Sequence, residues 1–397
     1  MIPRIVFAVV RRILGTAVAA LDLIVPKKVP MYVFVVGAGN AFSGNIKAAH
    51  DYYREKHGRD VFLLAHPSSD LTLCESGDAE PAGDVTSLRG LWTLLRASAL
   101  FIEYWSGDWY WPGILRSRRT IMNLWHGIPI KRMGIADGNR SSVREAARIG
   151  YMIASSHIDR SVMAASFGVE YPNVLMTGYP RNDWLVSDDA VRRSPSLART
   201  AADVVRVKNG RRLVLYAPTY RGHHLSSGAD VSGVYAFTND ELDRLRSLLV
   251  SRNAVLGVRP HINRGGDDRL RYDDVIIDMS RAVFKDVQML LRHTDVLVSD
   301  YSGVWVDYLL LDRPVIGFAY DWEAYAAERG YVYDYFSIFP GPMVRSFGEL
   351  IDALEQALTG TPAITERQRF VKGMFHAFPD GTSCERLYRS LEERRGR

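Results

Sequence analysis

Two histidines stand where strand-like runs end, and each has cationic company. His126 lies in Trp125-His126-Gly127-Ile128-Pro129-Ile130-Lys131, after the apolar run 121–125, and His261 follows Arg259-Pro260, after the run 255–258. An imidazole titrates near neutrality and can take a proton from an alcohol. Arginine forks onto phosphate oxygens. Another strand end reads Ser299-Asp300-Tyr301-Ser302-Gly303, ahead of a helical pattern that starts at Val304. Ser302 and the free amides there can hold an anionic oxygen, or Ser299 and Ser302 can serve only as caps. Thr219 and Arg221 follow Ala217-Pro218 at a further strand end, and Arg181 follows Gly178-Tyr179-Pro180. Together these residues suit proton transfer beside a phosphate-bearing centre. The plainer readings are a structural histidine bonded to backbone and an Arg181 paired with Asp183. Gly127, which permits close backbone approach, and Lys131, which can reach a phosphate, favour the chemical reading of His126.

Positioning such groups takes a scaffold of strand ends. Apolar runs of strand length occur at 31–37, 61–65, 100–104, 121–125, 151–154 and 174–177, and again at 213–216, 255–258, 275–278, 296–298 and 315–318. Helical patterns lie between them, at 45–56, from Ser155-Ser156 to 167, and at 240–251, 283–292, 304–311 and 347–358, with a last helix from Ser383. This alternation predicts parallel sheets in an α/β protein. The glycine-rich turn Gly37, Gly39, Gly44 has the wrong spacing for a dinucleotide fingerprint, although its helix start can still face a ligand. An aromatic cluster, Tyr104, Trp105, Trp109, Tyr110 and Trp111, reads as packing or as a platform for a lipid or glycan.

Length and composition set limits. A chain of 397 residues, 47% hydrophobic and 24% charged, suits two α/β domains. The boundaries read as an N-terminal segment at 1–29, a first domain at 30–195 and a second at 207–397, with the charged stretch 187–208 around Ser194-Pro195-Ser196 as a linker helix or hinge. A net charge of +5 suits an anionic substrate or membrane surface and is too small to imply nucleic acid. Cys74 and Cys384 lack metal-ligand spacing, which points to a reducing, cytoplasmic setting. No DxD signature stands at a strand end, so no cofactor is assigned and dependence on a divalent metal stays undecided. Residues 2–25 are strongly apolar but interrupted by Arg4, Arg11, Arg12 and Asp22. They fall short of a spanning helix and resemble one lying in an anionic interface. A signal peptide fits poorly, and a plain packed helix is the rival.

These stretches resemble the CDP-glycerol glycerophosphotransferase family, which makes teichoic-acid-like and capsular polymers. The resemblance is carried, in family order, by LWHGIPIKRMG (124–134), TGYPRND (177–183), LYAPTYRG (215–222), VRPHIN (258–263), VSDYSGVWVDYLLLDRPVIGF (298–318), FPGPMV (339–344) and PDGTSCERL (379–387). It covers nearly the whole chain from Val25. Gly303 stands where the family has a second serine, Ser299 where it has threonine, and Ile262 where proline is frequent. The resemblance implies a GT-B arrangement, two Rossmann-like domains facing across a cleft, with nucleotide held by the second. It implies that His126 takes the acceptor proton and that His261 stabilises the diphosphate. Arg221, Arg259, Ser302 and the amides after Asp300 would hold phosphates, with Asp307 reaching or bracing the same pocket. The implied reaction moves a polyol phosphate, glycerol phosphate first, from a CDP-activated donor to a lipid-linked or polymer acceptor at the cytoplasmic face of a membrane. The alternatives are a GT-B glycosyltransferase using a nucleotide sugar and a membrane-bound scaffold without activity. Oligomeric state is not readable.

Overall fold

Short apolar runs alternating with helices produce two parallel sheets, as strands buried on both faces require. The computed structural model describes residues 2–74, 83–104, 111–114, 116–139, 149–219, 234–260, 270–328, 330–360 and 364–395. The chain divides into two compact units. The first comprises Met1–His126, Met133–Asp183 and Thr382–Arg397, and the second Gly127–Arg132 and Trp184–Gly381.

In the first unit the strands are β1 (Tyr32–Val36), β2 (Val61–Ala65), β3 (Gly83–Asp84), β4 (Ala99–Ile102), β5 (Thr120–Asn123), β6 (Tyr151–Ala154) and β7 (Val174–Met176). Their order is β3-β2-β1-β4-β5-β6-β7, and all pairs are parallel. The second unit holds β8 (Arg212–Ala217), β9 (Ala254–Val258), β10 (Ile276–Asp278), β11 (Val296–Ser299), β12 (Val315–Phe318) and β13 (Met343–Val344). They run β10-β9-β8-β11-β12-β13, again wholly parallel. Both sheets are Rossmann-like, and a chain of two such units is of the GT-B class. In each, the order reverses beside the first strand, between β1 and β4 and between β8 and β11. Ligands of open α/β sheets bind beyond the strand ends at such points.

Central strands are buried because every position is apolar; Phe34 of β1 stacks on Phe101 of β4 at 4.3 Å. In the first unit, helices α1 (Ile2–Ile24), α2 (Gly44–His57), α3 (Leu88–Arg96) and α4 (His157–Phe167) pack around the sheet. Ser156 caps α4 by accepting from the Asp159 amide. The second unit contains α5 (Pro195–Lys208), α6 (Asn239–Ser251), α7 (Val287–His293), α8 (Val304–Tyr308) and α9 (Phe347–Leu358). Capping boxes start α6 and α9, from Thr238 with Glu241 and Ser346 with Glu349.

Several sequence expectations shift. The helix expected from 283 starts at Val287, because Asp286 accepts from the Met289 amide and caps it there. The helix after Ser302 is α-helical only over Val304–Tyr308 and tightens to a 3-10 turn at Leu309–Leu311. The stretch read as a linker helix or hinge is helical over α5 but lies inside the second unit, where the Lys208 ammonium donates to the His293 carbonyl at 3.0 Å. The last helix, α10 (Ser383–Arg395), belongs to the first unit rather than the second. Its Glu392 accepts from the Tyr32 hydroxyl at 2.7 Å. Strands β3 and β13, two residues each, are too short for periodicity to reveal. Among the described residues, no helix is long and apolar enough to cross a membrane.

Candidate active site

His126 lies just past β5, beside the β1–β4 reversal, and three features hold it there. Trp125 has φ +45°, a left-handed conformation that costs a non-glycine residue about 1–2 kcal/mol. Gly127 has φ +135°, which only glycine adopts readily. Hydrogen bonds oppose the strain at Trp125. The Asn123 side chain accepts from the Trp125 amide at 2.8 Å, and Asn45 Nδ2 donates to the Trp125 carbonyl at 2.7 Å and the Leu124 carbonyl at 3.1 Å. Backbone strain held this way marks a place where geometry matters more than stability.

Arg181 completes the frame. Its amide donates to Asn45 Oδ1 at 3.1 Å and its Nη1 to the His126 carbonyl at 2.6 Å. Asp183 is not its ion-pair partner at this site. That buried carboxylate accepts from the Ser383 and Cys384 amides at 2.7 and 2.8 Å and so caps α10. The His126 ring stacks on Tyr104 at 5.0 Å. The residue is exposed to solvent although protein atoms crowd the ring. Exposure is the property that lets a substrate reach it. Crowding and then the Arg181 charge push its pKa down to about 4, so the ring is neutral at pH 7 and can accept a proton.

Asn45 is the residue that sequence reading passed over here. It is fully buried, its amide donates to Glu103 Oε1 at 3.1 Å, and it ties the start of α2 to the ends of β4 and β5. Its signal was an asparagine at a helix start behind a glycine-rich turn.

In the second unit, the β8–β11 reversal brings Thr219 to Asp300. One carboxylate oxygen of Asp300, fully buried, accepts from the Thr219 amide at 2.8 Å and the Tyr301 amide at 2.6 Å. The Tyr335 hydroxyl donates to the Asp300 carbonyl, and Trp305 Nε1 reaches that hydroxyl at 3.1 Å. Tyr335 braces the turn from a loop that the sequence marked only as aromatic. Ser299 donates to the Ala217 carbonyl at 2.8 Å and clamps β11 to β8. Ser302 Oγ accepts from the Val304 amide at 3.3 Å and keeps partial exposure. Asp307 is buried and accepts from Gln288 at 3.1 Å, which braces α8. Arg259 donates to the Met279 and Phe284 carbonyls, both at 2.9 Å; burial lowers its pKa to about 10, which leaves it charged at neutral pH.

The segment Gly127–Arg132 belongs to this unit. The Arg132 amide donates to the Gly330 carbonyl at 3.0 Å and the Val332 amide to the Ile130 carbonyl at 3.1 Å. Lys131 lies 5.3 Å from the Tyr325 ring, which stacks on Tyr301 at 4.1 Å. Lys131 therefore stands on the aromatic wall beside the Ser302 turn. His261 and Arg221 lie outside the described residues, as do Trp105, Trp109 and Tyr110 of the aromatic cluster. Among the described residues, no three His, Cys, Asp or Glu side chains gather as a metal site.

Gly303 allows a direct test of the turn. Its φ is −68°, and an added Cβ would meet only the Ile128 carbonyl, at 3.6 Å. Gly303→Ser should fold with stability within about 0.5 kcal/mol of wild type. Thermal melting checks this, and a clearly larger loss would mean that the turn needs bare backbone.

Residues 17–393 match the family described as CDP-Glycerol:Poly(glycerophosphate) glycerophosphotransferase. The chain is 27% identical to the teichoic acid glycerol-phosphate transferase of Staphylococcus aureus, over 89% of this chain and 90% of that protein. It is 27% identical to the teichoic acid poly(glycerol phosphate) polymerase of Bacillus subtilis, over 83% of this chain but 44% of that longer protein. Among solved structures, the wall teichoic acid polymerase TagF soaked with CDPG superposes with a TM-score of 0.71 at 21% identity, over 93% of this chain and 90% of that one.

Proposed function

The chain belongs to the CDP-glycerol:poly(glycerophosphate) glycerophosphotransferase family, enzymes that move a polyol phosphate from a CDP-activated donor to an acceptor, and on that premise we propose how this one does so. The donor is CDP-glycerol, and the acceptor is a hydroxyl of a lipid-linked or polymer chain. One observation carries the reading: an exposed imidazole, neutral at pH 7, held at a strand end by a strained and heavily bonded backbone. Such a ring suits a general base.

In this reading His126 accepts the proton as the acceptor oxygen attacks the phosphorus that carries glycerol. The new bond is acceptor oxygen to phosphorus. The bond from that phosphorus to the bridging oxygen breaks, and CMP leaves with the electron pair. Charge spreads over both phosphates, so cations must surround them. Lys131, Arg259 and, by motif, Arg221 and His261 supply those cations. Ser302, Gly303 and Thr219 offer a hydroxyl or amides to the phosphate oxygens, while Ser299, Asp300 and Asp307 shape that turn. Gly127 and Arg181 hold the base in place. The CDPG-soaked TagF structure supports a CDP-polyol as donor.

Incubation with CDP-glycerol and a glycerol-phosphate-terminated acceptor should release CMP and lengthen the acceptor by one or more glycerol phosphates, read by mass. A parallel incubation with CDP-ribitol compares the polyols. Turnover with CDP-ribitol alone would reject glycerol, and no CMP from either donor would reject the reading. We further place the protein at the cytoplasmic face of an anionic membrane, peripherally, with α1 against the lipid. The run of exposed apolar residues on that helix, Val9, Val10, Ile13 and Leu14 among them, supports this.

A further inference from the structure

Glu103 is a buried charge to which the proposed reaction gives no task. It follows β4 directly and keeps 8% of its surface. A carboxylate out of water is costly unless it is bonded. Its Oε1 accepts from the Asn45 amide at 3.1 Å, in the first turn of α2. Ser43 stands in the capping position of that helix, but its side chain makes no capping bond. Glu103 supplies the acceptor instead, from the end of β4, with its negative charge at the positive end of the helix dipole. Gly44 makes room for it. A Cβ there would lie 3.1 Å from Glu103 Oε1, and a φ of +59° also favours glycine.

What Glu103 holds is Asn45, and Asn45 holds the backbone on which His126 stands. Both Nδ2 hydrogens are engaged, by the Trp125 carbonyl at 2.7 Å and the Leu124 carbonyl at 3.1 Å. Oδ1 accepts from the Arg181 amide at 3.1 Å. The Trp125 carbonyl belongs to the peptide group that enters His126. The peptide group that leaves His126 has its carbonyl on Arg181 Nη1, at 2.6 Å. One side chain therefore fixes the first peptide directly and orders the turn that fixes the second. Aspartate has no hydrogen to donate to these carbonyls, and glutamine is a methylene longer. The residue after Glu103 serves the same ring. Tyr104 stacks on His126, and Asn123 Nδ2 donates to the Tyr104 carbonyl at 3.0 Å.

From this we infer that Asn45, held by Glu103, is a positioning residue of the transfer reaction, fixing the direction from which the His126 ring meets the acceptor hydroxyl. The inference rests on the reading of His126 as the base and adds two residues that act through it. A base set askew loses rate rather than donor affinity, and a displacement of about 1 Å can cost about 10²-fold.

The test is CMP release from CDP-glycerol with a glycerol-phosphate-terminated acceptor, in the wild-type and His126→Ala backgrounds. Rates are taken per folded protein, judged by thermal melting. Asn45→Ala should lower kcat about a hundredfold in the wild-type background, with the Michaelis constant for the donor within about threefold. In His126→Ala it should lower the residual rate by less than about threefold, because no base is left to place. Glu103→Ala should lower kcat about tenfold, and Glu103→Gln, which keeps an acceptor oxygen of the same shape, should restore most of it. Equal losses from Asn45→Ala in both backgrounds would overturn the inference, since a purely structural residue acts whether or not the base is present. Wild-type turnover by Asn45→Ala or Glu103→Ala would overturn it too. If Asn45→Ala does not fold, the Glu103 variants carry the same comparison across the two backgrounds. Wild-type turnover by His126→Ala would reject the base itself, an outcome read without either substitution.

Discussion

Replacing His126 with alanine should lower the rate of CMP release by about 10²–10⁴-fold, the range that a positioned general base supplies. The Michaelis constant for the donor should change little, since the ring serves the acceptor. The pH profile gives a second reading. A pKa lowered to about 4 leaves the imidazole neutral, and so competent, across the neutral range. The rate should stay level as pH falls and drop only as the ring gains its proton, below about pH 5. Arg181 contributes to that lowering through its charge. Arg181→Gln should therefore move the acid limb to higher pH, besides releasing the His126 carbonyl that the guanidinium holds. Wild-type turnover by the His126→Ala enzyme, or an acid limb unmoved in Arg181→Gln, would remove His126 from the role of base.

The second large effect is expected at Asp300. One oxygen of this fully buried carboxylate accepts two amides, from Thr219 and Tyr301. A hydrogen bond to a charged acceptor contributes about 1.5–3 kcal/mol, and a buried amide left unpaired costs a comparable amount. Asp300→Ala should therefore destabilise the second unit by about 3 kcal/mol or more. It should also raise the Michaelis constant for CDP-glycerol well over tenfold, because the Thr219 turn loses its tie to the Asp300 turn. Asp300→Asn keeps an acceptor oxygen of the same shape and should recover much of the stability. Thermal melting and donor titration check both variants. A stable Asp300→Ala protein with an unchanged Michaelis constant would show that the turn is set by Tyr335 and Ser299 instead.

Much of the scaffold could be read before any coordinates. Buried parallel strands are continuous apolar runs, so all of them except the two-residue β3 and β13 could be placed from the pattern of apolar residues. Strand ends next to His126, Thr219 and Ser299 were visible for the same reason, and family order among the motifs tied them to one chemistry. Local spacing also exposes a cap that acts within a helix turn, such as Ser156 on α4. It does not expose caps supplied from elsewhere. The last helix, read from Ser383, gives the amides of Ser383 and Cys384 to Asp183, which lies in a distant segment.

Folding decides which partners the polar groups of the site take. Ser299 reads as a phosphate ligand or a cap in sequence, but the register that sets it opposite Ala217 gives its hydroxyl a backbone carbonyl. Asp307 reads as reaching the pocket or bracing it, and Gln288, from a different helix, donates to it as a brace would require. Asn45 carried no recognisable chemistry until β4, β5 and the Arg181 turn closed around it. The physical reason is common to all three. Whether a strand is buried depends on the residues within it, which sequence displays directly. A hydrogen bond chooses among partners that become neighbours only when distant segments meet, so which polar group contacts a substrate and which braces the backbone is decided by the tertiary structure.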